Sequence, residues 1–204
     1  MKITHRELEG CLQGPRRWLL QKRSEQPHGF KIGYDRVLLL SIYRFHKTNS
    51  PVDARRYLAG AIKRHNFQDA TRLDAIQLKL ESYLTWVKSS SVRVADSKVR
   101  LSLESGFVTL VGEISRLDVT ERSYRAVLLV TRIPYGWQEQ LRMPLIQSAV
   151  SNQFGRPLEE VEVGMQRLDG SDLQTVSFSE TMVANAKRRL TKLSKELEKL
   201  TSQA

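Results

Sequence analysis

Residues 107–133 read FVTLVGEISRLDVTERSYRAVLLVTRI, and their reading decides the fold. Residues 107–118 and 123–133 are rich in β-branched and apolar side chains and are separated by a polar turn, Thr120 to Arg122. That is the pattern of two antiparallel strands. The second segment contains Val127 to Val130, an unbroken apolar run, which marks a central strand covered on both faces. Residues 98–104 supply a further strand upstream, joined through a hairpin turn at Ser105-Gly106. The three together predict a meander.

Downstream, Pro134-Tyr135-Gly136 closes the third strand, and a helix is expected over about 137–154. Residues 161–167 and 174–178 read as two more strands around a turn from Leu168 to Asp172. A helix connecting the third strand to the fourth predicts a mixed sheet with a right-handed crossover. The last helix, about 179–200, carries Leu190, Leu193, Leu197 and Leu200 on one side. Its apolar repeat is too short for a coiled coil, so it is expected to pack on the sheet.

Upstream of residue 90 the period is helical. Thr4 and Glu7 form a T-x-x-E capping box before a helix reaching about Arg23, interrupted at Gly14-Pro15. Pro27-His28-Gly29 reads as a loop. Further helices are predicted from Tyr34 to Lys47, from the Ser50 cap with Pro51 to about Arg64, and from about Asp69 to Lys88. The expected class is α/β: a mixed β-sheet flanked by helices. Residues 1–90 form a basic helical region integral to the fold, and residues 91–204 form the sheet core with its crossover and C-terminal helices.

The charge is uneven. Net charge is +11, and residues 1–90 hold 17 Lys/Arg against 8 Asp/Glu, a net of +9. Residues 91–204 hold 16 against 14, a net of +2. A half this basic points to a polyanionic partner, nucleic acid first. Paired basic residues punctuate the predicted helices: Arg16-Arg17, Lys22-Arg23, Arg55-Arg56 and Lys63-Arg64. No segment approaches the roughly 18 apolar residues of a membrane span, and no secretory signal opens the chain, so the cytoplasm is the expected compartment. One cysteine, Cys11, excludes an internal disulfide and an all-cysteine metal site. His5, His28, His46 and His65 show no metal-ligand spacing. No phosphate-binding glycine loop, nucleophile elbow or zinc motif occurs.

Several segments, in order, resemble the RecB-like branch of the PD-(D/E)XK nuclease superfamily. Gly14-Pro15-Arg16-Arg17-Trp18 resembles that family's Cys-Pro-Arg-Arg/Lys-aromatic turn, with Gly14 in place of the cysteine that ligates an iron–sulfur cluster in some members. Gly112-Glu113-Ile114-Ser115-Arg116-Leu117-Asp118 resembles Gly-x-Ile-Asp-Arg-Ile-Asp, and Leu128-Leu129-Val130-Thr131-Arg132 stands where Ile-Ile-Asp-Tyr-Lys is found. Leu141 to Ala149 resembles the helix carrying Gln-x-x-x-Tyr, and Gly33 to Val37 the Gly-x-x-x-His segment. The resemblance implies a restriction-endonuclease-like ββαβ core.

It also implies that the metal site is lost. The family's two strand carboxylates become Ser115 and Val130, and its lysine becomes Arg132. Its Gln and Tyr become Arg142 and Ile146, and its histidine becomes Val37. Mg²⁺ requires oxygen ligands, which an apolar side chain cannot give. The expectation is therefore no metal, no cofactor and no catalytic residue. Instead, a pseudonuclease would bind nucleic acid, DNA in the first instance, through Arg16, Arg17, Lys22, Arg23, Arg55, Arg56, Lys63, Arg64, Arg132 and Arg142. The resemblance further implies a larger partner, such as an ATPase, helicase or active nuclease of a repair or phage-defence assembly. Two alternatives stand beside this reading. One is an active Mg²⁺ nuclease whose site has migrated to Glu113, which parity places on the strand face of Ser115, with Asp118 on the other. The other is an adaptor without nucleic-acid contact, docking through Trp86, Trp137 or the last helix.

Overall fold

A computed structural model describes residues 1–24, 32–121 and 123–203. The predicted loop at Pro27-His28-Gly29 and the turn residue Arg122 lie outside the described residues. Among those described, six strands and seven α-helices form a mixed sheet covered on both faces. The fold class is the expected α/β.

The amino end departs from the helical expectation. Lys2–Thr4 is a strand, β1, parallel to the start of β3. Thr4 still makes its capping box with Glu7. The Thr4 N–H donates to Glu7 Oε2 at 2.9 Å, and the Glu7 N–H to Thr4 Oγ1 at 3.3 Å. α1 (Leu8–Gln13) follows, and Pro15 at the head of α2 (Pro15–Ser24) breaks the two apart.

α3 (Tyr34–Thr48), α4 (Pro51–Arg64) and α5 (Ala70–Ser89) form one layer. Ser50 caps α4 as expected, accepting the Asp53 N–H, and Asp69, at the expected start of α5, accepts the Arg72 N–H. Val37, Leu38, Ile42, Leu58, Ile76, Leu80 and Tyr83 build the core between these helices and one sheet face.

The sheet is built on β3 (Val108–Val119), which pairs antiparallel with β2 (Arg93–Ser105) and with β4 (Tyr124–Val130). β2 runs beyond the expected 98–104, extending to Arg93. α6 (Arg142–Phe154) then crosses to β5 (Val161–Arg167), which is parallel to β4. β6 (Gln174–Val176) closes the edge, and α7 (Glu180–Ser202) packs beside α6. On the second sheet face Ile114, Leu117, Leu128 and Val163 pack against Ile146 of α6, and a third cluster joins Ile3 and Leu8 to Leu145, Leu190 and Leu193. Burial of Leu190, Leu193 and Leu197 fits a last helix laid on the body of the fold.

Two local features matter for the site. β4 ends at Val130 rather than near residue 133. The Val130 carbonyl accepts its last bond from Leu168 N–H, and Pro134 follows with no N–H to give. The side-chain alternation of β3 also breaks at Ser115–Arg116. Ile114 faces α6, yet Arg116 turns to Tyr83 on α5. On β2, Lys98 lies across from this break with φ 58° and is skipped in the paired register. The register is unshifted across it, so no extra residue is inserted there, and the left-handed backbone at Lys98 accompanies the change of face. Asp118 therefore lies with Arg116 on the α5 side, the side on which Glu113 meets Tyr43 of α3. The parity argument that separated Asp118 from Glu113 fails for this reason.

Candidate nucleic-acid cleft

Four of the five segments of the resemblance, all but the Gly14–Trp18 turn, meet at a cleft of about 290 Å³. Ser115 from β3, Val130 from the end of β4 and Arg142 from the start of α6 all line it. Ser115 is held there because its Oγ accepts the Leu129 N–H at 2.9 Å, taking the place of a ladder bond. The register pairs Arg116 with Val127, so one step on Ser115 is level with Leu128 rather than Val130.

The other altered positions are elsewhere. Val37 is buried in the helical layer and Ile146 in the α6-side core. Arg132 is exposed in the loop after β4 and does not line the cleft, because the strand stops two residues earlier.

Two arginines absent from the expected set complete the cleft. Arg6 follows β1, and Arg36 sits in the first turn of α3 inside the Gly33–Val37 segment. Asp35 is the acidic residue of the lining, and Lys79 stands 3.8 Å from its carboxylate. His5 also forms part of the wall. It is 6% exposed, its Nδ1 is buried without a hydrogen-bond partner, and burial, with Arg142 and Arg6 nearby, lowers its pKa to about 4. Burial also pulls Arg142 below the ordinary arginine range, opposed by Glu9 and reinforced by Arg6. Its Nε donates to Gln140 Oε1 at 2.7 Å.

These residues do not suit Mg²⁺. A hard cation in a protein seeks several carboxylate, carbonyl or water oxygens. Here the two strand positions offer one hydroxyl and one isopropyl group, amid guanidinium charge. Among the described residues no group of three or more His, Cys, Asp or Glu is placed to hold a metal. Glu113, the candidate for a migrated site, does not line this cleft, and its carboxylate accepts the Tyr43 hydroxyl at 3.1 Å. Glu113 lies instead in an adjoining groove of about 900 Å³, which shares His5, Arg6 and Arg36 and adds Arg100.

The predicted basic pairs are not brought together. Arg16, Arg17, Lys22 and Arg23 are exposed on α2, which packs against α7. Arg55, Arg56, Lys63 and Arg64 are exposed on α4, which packs in the opposite layer on α3. Several are engaged locally: Lys22 with Glu7 at 2.6 Å, Arg55 in a two-pronged bond to Glu81 at 2.7 and 2.6 Å, and Arg56 with Asp53 at 3.8 Å. Trp137, a candidate docking residue, is 1% exposed, with its Nε1 donating to Gln174. It is core because the loop after β4 folds it under β6. Trp86 is partly buried beneath the Arg116 guanidinium, 4.6 Å from the ring centre. Cys11 is buried and its thiol pushed up to about 12, so it is unreactive.

No family model and no curated protein sequence matches the chain. Among solved structures, a "Putative exonuclease" from Eubacterium rectale is similar over 91% of this chain and 72% of its own, with TM-score 0.48 and 8% identity. SSO0001 is similar over 91% of this chain and 84% of its own, with TM-score 0.35 and 10% identity. The similarity is distant and structural. No helix among the described residues is long and apolar enough to cross a membrane.

Proposed function

We propose that the chain is a nuclease-like protein that holds nucleic acid by its phosphates and does not cut it. The observation that carries this reading is the composition of the cleft: Arg6, Arg36 and Arg142 gather where the resemblance places metal-binding carboxylates. Guanidinium forks match phosphate oxygens in pairs, and phosphate contacts position a strand without reading its sequence. The adjoining groove continues from the cleft through the shared Arg6 and Arg36. Tyr135, fully exposed in the loop after β4 near Arg132, is suited to stack on a base. The resemblance supports a further part of the proposal: a protein partner, such as an ATPase, helicase or active nuclease, that supplies the catalysis this chain lacks.

The test is fluorescence anisotropy with short DNA and RNA over a salt series. A surface meeting about four phosphates of duplex DNA loses roughly a hundredfold in affinity between 50 and 200 mM salt. Arg6→Glu with Arg36→Glu is expected to weaken binding at least tenfold for every sequence. Charge reversal at Arg55 and Arg56, already paired with Glu81 and Asp53, is expected to matter less. Absence of binding at 50 mM salt to any nucleic acid overturns the reading and leaves the adaptor role.

A further inference from the structure

Arg6, Arg36 and Arg142 come from three elements far apart in the chain, yet they line one cleft. Among the described residues none of the three forms a side-chain ion pair. Arg6 is close enough for its charge to disfavour that of Arg142, and Arg142 is partly withdrawn from water. Like charges held together in a half-buried cleft are relieved by a bound anion.

The charge around the cleft indicates which anion. Four cations, Arg6, Arg36, Arg142 and Lys79, face two carboxylates, Asp35 and Glu9, which leaves two positive charges. Glu9 also accepts the Arg142 backbone N–H at 3.2 Å. Arg100 and Glu113, in the adjoining groove, are cross-strand neighbours of opposite charge and leave this balance unchanged. A phosphodiester within a strand carries one negative charge. A phosphate monoester carries close to two at neutral pH.

A second observation is independent of the arginines. The wall of the same cleft contains His5, 94% buried, with Nδ1 unpartnered. Buried polar atoms are nearly always satisfied by protein or by what binds beside them.

We propose that His5, Arg6, Arg36 and Arg142 form a seat for one dianionic phosphate monoester, the phosphorylated end of a nucleic-acid strand. The seat rests on the nucleic-acid reading above and narrows it to strand ends. It also gives the cleft a chemical role in which guanidinium groups, not a metal, face the phosphate.

The experiment compares one oligonucleotide, labelled internally, in three forms: 5′-phosphorylated, 3′-phosphorylated, and hydroxyl at both ends. One phosphorylated form is expected to bind at least tenfold more tightly than the hydroxyl form. Inorganic phosphate is expected to abolish that preference. Arg36→Gln, and separately Arg6→Gln, should remove the preference while unchanged melting curves report an intact fold. Equal binding of all three forms overturns the seat and leaves general nucleic-acid binding standing. Calorimetric binding of inorganic phosphate without binding of any oligonucleotide overturns the strand end, and the nucleic-acid reading falls with it. A preference that survives both substitutions overturns the assignment of these residues.

Discussion

Arg116 is fully buried, and every part of its guanidinium is engaged. Nε and one Nη bond the Asp118 carboxylate, the Nη at 2.8 Å. The same Nη reaches Gln166 Oε1 at 2.9 Å, and the other donates to the Tyr83 hydroxyl at 2.7 Å. The Trp86 ring lies under it, and Gln166 passes its own amide N–H on to the Gly170 carbonyl. The network ties β3, β5 and α5 together at a place where the sequence shows only two charged residues on a strand. Arg116→Met leaves Asp118 buried without a partner and is expected to cost about 3–5 kcal/mol, read from urea unfolding midpoints. Asp118→Leu combined with Arg116→Met should cost less than the two single changes added together, because both charges then leave the interior. Single changes costing under about 1 kcal/mol, the scale of a surface pair, would contradict this account.

At the scale of elements, the hairpin of β3 and β4, the crossover helix, the Ser50 cap and the Gly14-Pro15 break were legible, because each has a local chemical cause. β1 was not. Three residues with only Ile3 buried give no period, and the strand exists because β3 offers it an edge. The turn of Arg116 toward α5 was also hidden, since alternation predicts the opposite face and the change comes with the left-handed backbone at Lys98. Of the cleft residues, Ser115, Val130 and Arg142 were found through the resemblance. Arg6 and Arg36 were missed because no spacing connects residues 6, 36 and 142 until the sheet assembles. Gly112 gives a test at this scale. A Cβ there would overlap the His5 ring, whose backbone N–H bonds the Val111 carbonyl at 2.8 Å. Gly112→Ala is expected to displace His5 and loosen β1, with a loss of about 1–3 kcal/mol and faster hydrogen exchange at His5. Unchanged exchange and stability would show that His5 is not held against this strand.

Across the whole molecule, the two basic helices face away from each other in opposite layers, while the cleft between β3, β4, α3 and α6 concentrates charge from both halves of the chain. The net of +9 over residues 1–90 thus divides in two. On the proposed function, the part spread over α2 and α4 would steer polyanions toward the protein, while Arg6 and Arg36 meet Arg142 at one point. The central claim is that this point holds phosphate without a metal. The direct measurement is binding of an end-labelled oligonucleotide in EDTA and again in millimolar Mg²⁺ or Mn²⁺, followed by electrophoresis of the same samples. The account predicts that chelation leaves affinity unreduced, that divalent cations weaken binding only as added salt does, and that the strand stays intact. Binding that requires the divalent ion, with shortened products that disappear on Glu113→Ala, would contradict it and identify a working nuclease with a relocated site.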